Sequence, residues 1–142
     1  MKKLLSLFML TAFVQVMPSY ASEGRDRVVV VANTTDAELS LSQDQVRNLF
    51  MGASVGRTLH PTVLPPNNRT RSLFNTKVVG MSESRVQSYW AQMKFTGRRA
   101  SPLQVNSEEE MLRYLTKTPD SVGYLTADTE IPDQLVIIYS TD

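Results

Sequence analysis

Val28–Ala32 reads VVVVA. Four β-branched residues in succession favour an extended backbone, and the lack of alternation leaves no polar face. A strand with one wet side would alternate apolar and polar residues. This run must instead be buried on both faces, as in a parallel or mixed sheet covered by helices.

The segments downstream supply those helices. In LSQDQV at 41–46, Ser42 is placed to cap a helix, and Gln45 completes a capping box. Leu41 and Val46 are spaced for a hydrophobic staple. Val46, Leu49 and Phe50 form the apolar face, and Gly52 is the stop. Residues 53–61 read as a loop, and 62–64 as a short strand ended by Pro65 and Pro66. A helix over about 70–79 carries Leu73, Phe74 and Val78 and stops at Gly80. Ser82 caps the next, with Glu83 in its first turn, Val86, Tyr89, Trp90 and Met93 as its core face, and Gly97 as its end. Ser107 with Glu110 opens a further helix buried through Met111, Leu112 and Leu115 and stopped at Thr118-Pro119. Residues 121–125 and 135–139 are the last two strands, with Gly123 marking a close backbone approach. Strands interleaved with helices make this an α/β protein with a mixed sheet flanked by helices.

Upstream, the chain opens MKKLLSLFMLTAFVQVMPSYAS. Lys2 and Lys3, the apolar run 4–17 and the small residues around Ala21 have the layout of a secretory signal peptide, 1–21, cleaved after Ala21. The expected product is a single periplasmic domain, 22–142, with residues 22–27 polar and frayed. Loss of Lys2 and Lys3 turns the formal net charge of +1 into −1. A near-neutral chain gives no general field for nucleic acid. The absence of cysteine excludes disulfides, thiolate metal sites and cysteine nucleophiles.

One stretch poses a charge problem. PPNNRTRSLFNT at 65–76 sets Arg69 and Arg71 at a helix start, where the unpaired N–H groups already carry partial positive charge. An anion nearby would remove the conflict. Asn68, Arg69, Thr70, Arg71 and Ser72 therefore form a candidate oxyanion cradle. Asn33 and Thr34, after the first strand, are the second candidate group, because ligands of open α/β sheets collect beyond strand carboxyl ends. The plainer alternative has both arginines solvated and Asn68 or Thr70 simply capping the helix. Arg98 and Arg99 follow a helix end, where cations are favourable without a ligand. His60, the only histidine, has no partner motif and reads as solvated. The acidic run 108–110 suits a helix start. No catalytic residue, metal site or cofactor is expected.

The order of segments resembles the phosphate-binding proteins of ABC importers, periplasmic receptors with the type II periplasmic-binding fold. It runs LSQDQVRNLFMG at 41–52, a strand, a polar Arg/Ser/Thr-rich helix start, SYW at 88–90, and TPDSVGYL at 118–125. It is also similar to short exported phosphate-transporter substrate-binding-like proteins that share F.G, GMS, YW and FTGR. The resemblance covers about residues 28–126 and implies a single lobe of such a receptor, with its phosphate loop falling on residues 68–72. The receptors use glycines in that loop, and residues 67–72 contain none. Two readings follow. One is an exported protein that binds phosphate or a related oxyanion, working with a membrane permease. The other is a non-catalytic interaction module that docks on a membrane sensor or envelope complex without a high-affinity small ligand.

Overall fold

In the computed structural model, residues 23–142 are described; the expected leader and cleavage point fall outside the described residues. Five strands, β1 (Val28–Ala32), β2 (His60–Val63), β3 (Leu103–Gln104), β4 (Ser121–Thr126) and β5 (Val136–Ser140), form one sheet in the order β3-β2-β4-β1-β5. All five residues of β1 are buried, as the VVVVA pattern requires. Both of its neighbours, β4 and β5, run antiparallel to it, whereas β2 runs parallel to β3 and β4. The sheet is mixed, and burial on both faces comes from its helical cover.

That cover is α1 (Gln43–Phe50), α2 (Arg69–Phe74), α3 (Glu83–Thr96) and α4 (Glu108–Lys117). The capping box of α1 is complete: Ser42 Oγ accepts the Gln45 N–H, and the Gln45 side chain accepts the Ser42 N–H. Ser107 caps α4, but the Glu110 carboxylate reaches back one residue further, to Asn106 N–H. Successive side chains of β4 point to opposite faces. On one face, Gly123 lets α4 lie close, since a Cβ there would stand 2.4 Å from Met111 Sδ. On the other, Tyr124 stacks on Phe74 of α2 at 4.1 Å between ring centroids, with Phe50 of α1 edge-on to Phe74 at 4.7 Å.

Several expectations change: β2 begins at His60, within the stretch read as a loop, and β3 was not expected. Residues 70–79 are not one regular helix: α2 ends at Phe74, and Asn75–Val79 widens into a π-helical turn before Gly80 in the left-handed conformation. Residues 24–26 are not frayed but form a 3₁₀ turn anchored through Arg25 and Asp26. The core face assigned to α3 is covered only in part, with Tyr89 and Trp90 packing against the core from its rim. Val86 alone is buried on that helix, Tyr89, Trp90 and Met93 are half-buried, and Phe95 is 92% exposed. Helical spacing was right, but α3 meets the body along one edge only.

Candidate functional site

The two candidate groups lie at opposite ends of the sheet. Ala32 and Pro61 both pair with Val122 of β4, so the carboxyl end of β1 is level with the amino end of β2. Residues 65–72 leave from the far end of β2, roughly 10 Å away at ~3.3 Å per residue. Asn33 and Thr34 are therefore not brought to the α2 start. Asn33 Nδ2 donates to Leu115 O at 2.7 Å and ties the end of α4 to the sheet, while Thr34 Oγ1 accepts from Asp36 N–H within its own turn.

At the α2 start the capping alternative is realised. Asn68 Oδ1 accepts the Arg71 N–H at 3.1 Å. Thr70 is buried, and Ser72 Oγ, which is exposed, donates back to Asn68 O.

Each arginine already holds an anion, and both anions belong to the chain. Arg69 reaches the 3₁₀ turn, where Nη2 pairs with Asp26 and Nη1 donates to Arg25 O at 2.8 Å. Both side chains of this pair are more than half exposed. Arg71 turns inward and is buried. Its Nε and Nη2 grip Glu83 in a two-pronged pair at 2.8 and 2.7 Å, and Nη1 donates to Leu64 O at 2.7 Å. Asn75 and Gln87 each add a 2.8 Å hydrogen bond to the same carboxylate. Burial pushes the Glu83 pKa up, but hydrogen bonds from Arg71, Gln87 and Asn75 and the Arg71 charge outweigh it, leaving the group below its ordinary value.

Arg71 also lines a cavity of about 160 Å³ between α1, α2, α3 and the segment before β3. Phe50, Phe74, Val86 and Trp90 supply apolar wall, and Arg71, Tyr124, Asn75 and Gln87 are among its polar groups. Burial raises the Tyr124 pKa, so its hydroxyl stays protonated.

No family model matches the chain, and no curated protein is similar to it. A solved structure is: the crystal structure of an ABC-type phosphate transport receptor from Vibrio cholerae superposes with a TM-score of 0.58 at 17% identity. The fold is that of a binding-protein lobe. The match covers 78% of this chain and 44% of the receptor, so the chain spans less than half the length of that protein. At this identity the likeness speaks for the fold alone.

Sequence reasoning missed Asp26, Glu83, Asn75 and Tyr124. Glu83 was legible only as an acid in the first turn of α3; its pairing with Arg71 depends on how α3 lies against α2. His60 is exposed, as expected, and Arg99 donates to Met51 O and Tyr89 Oη, placing a cation at the end of α1. Among the described residues no cluster suits a metal ion, and no helix is long and apolar enough to cross a membrane.

Proposed function

We propose that the protein is an exported, non-catalytic recognition module: a binding-protein lobe that docks on a membrane sensor or another envelope protein. One observation carries this reading. Asp26 and Glu83 already neutralise the two guanidinium groups of the expected anion site. A phosphate at Arg71 would have to displace a carboxylate held by four hydrogen bonds, at a buried site where an unpaired charge is costly. The open side of α3, with Phe95 and Arg98 exposed beyond its last buried residue, suits contact with a protein partner better than enclosure of a small ion.

A second reading rests on Arg69. Its pair with Asp26 is exposed on both sides, and such surface pairs contribute only about 0–1 kcal/mol. Phosphate or another oxyanion could exchange for Asp26 there, with Ser72 nearby as a hydroxyl donor and a permease as the downstream partner. Thermal melts of the purified protein in millimolar phosphate, sulfate and nitrate separate the two readings. The docking reading expects no anion-specific rise in melting temperature. A saturable rise with phosphate that disappears in Arg69→Ala would transfer the function to oxyanion binding, because a ligand of the native state must stabilise it.

A further inference from the structure

The cavity beside Arg71 has no part in either reading, and its walls are those of a ligand site. Its volume, about 160 Å³, is close to that of cavities that admit benzene. Phe50, Phe74, Val86 and Trp90 give it aromatic and aliphatic wall. Asn75, Gln87, Ser101 and Gln104 add polar lining, and two further polar groups, Tyr124 and Arg71, have hydrogens to spare. Tyr124 is 1% exposed; its hydroxyl accepts from Leu64 N–H at 3.0 Å, and its own proton meets no acceptor among the described residues. Arg71 commits three of the five N–H groups a guanidinium carries, and the other two make no hydrogen bond among the described residues. Two groups with unused donor hydrogens, Tyr124 and Arg71, thus line the same space as the rings of Phe50, Phe74 and Trp90.

From this we infer that the cavity binds a small neutral ring compound bearing one acceptor oxygen, such as a phenol. The ring fills the apolar part, and the oxygen accepts from Tyr124 or Arg71. A carboxylate is the wrong partner, because Glu83 already balances the Arg71 charge and a second buried anion would be left uncompensated. A plain hydrocarbon fits the wall but displaces whatever water satisfies the donors and offers nothing in return.

The test compares phenol, toluene and benzoate in calorimetric titrations of the wild-type protein, with NMR contacts between ligand ring protons and Phe74 to locate the site. Phenol is expected to bind saturably and about 3–10-fold more tightly than toluene, the range for one neutral hydrogen bond. Benzoate is expected to bind more weakly than either. Tyr124→Phe should bring phenol down to the level of toluene while leaving toluene unchanged. Val86→Phe, which fills the cavity, should abolish both. The inference is overturned if phenol does not saturate up to its solubility limit. It is equally overturned if toluene or benzoate equals phenol, or if phenol binding survives Val86→Phe. Should Tyr124→Phe fail to fold, the wild-type ranking and the ring contacts decide by themselves.

Discussion

Arg69 and Arg71 stand two residues apart at one helix start, and the fold treats them in opposite ways. Arg69 lies on the surface and pairs with Asp26, a residue that is itself exposed. Arg71 is drawn beneath α3, where Glu83, Leu64 O, Asn75 and Gln87 complete a network around one guanidinium–carboxylate pair. The lesson is one of solvent. In water the two ions lose little when separated, whereas in the buried pair either ion left alone keeps its full desolvation cost. Similar charge pairs in sequence thus differ in what they hold together: the first tethers the 24–26 turn, and the second joins α2 to α3.

The comparison breaks most visibly at Arg71. Arg71→Ala should destabilise by about 3 kcal/mol, the low end for breaking a buried pair, because Glu83 keeps some access to water. Urea melts measure it, and a loss no greater than that of Arg69→Ala would place the two pairs in the same class. A smaller effect is expected with acid. Glu83 has a folded-state pKa below its ordinary 4.5, so its contribution is present above that value and is lost as pH falls through the lower folded pKa. The stability gap between wild type and Glu83→Gln should therefore be full at pH 7 and narrow below about pH 4.5. A gap that stayed constant from pH 7 to strongly acid solution would mean the carboxylate charge contributes nothing. The smallest effect belongs to Arg69→Ala, within about 1 kcal/mol and shrinking further with added salt. Hydrogen exchange at the 24–26 turn would sharpen this, since loss of the tether should speed exchange there before anywhere in the sheet.

Local chemistry wrote much of the fold into the sequence. VVVVA could only be a strand covered on both sides, and β1 is buried throughout. Ser42 with Gln45, and Ser82 and Ser107, placed three helix starts because a cap satisfies N–H groups within three residues of itself. Gly123 marked a close approach without saying of what; the neighbour is the Met111 side chain of α4, which fills the space a Cβ would need.

What the sequence could not determine were relations between segments far apart along the chain. Nothing in it said that Asn33 and Asn68 would face opposite ends of the sheet; that follows from β1 running antiparallel to β4 while β2 runs parallel to it. Nor did it say that α3 would meet the body only along the Val86 edge, or that Glu83 would answer the charge of Arg71. The sequence showed a helix start with too much positive charge. Tertiary structure supplied the anions, because a carboxylate twelve residues on and an aspartate forty-three residues back reach those arginines only once the elements between them have packed.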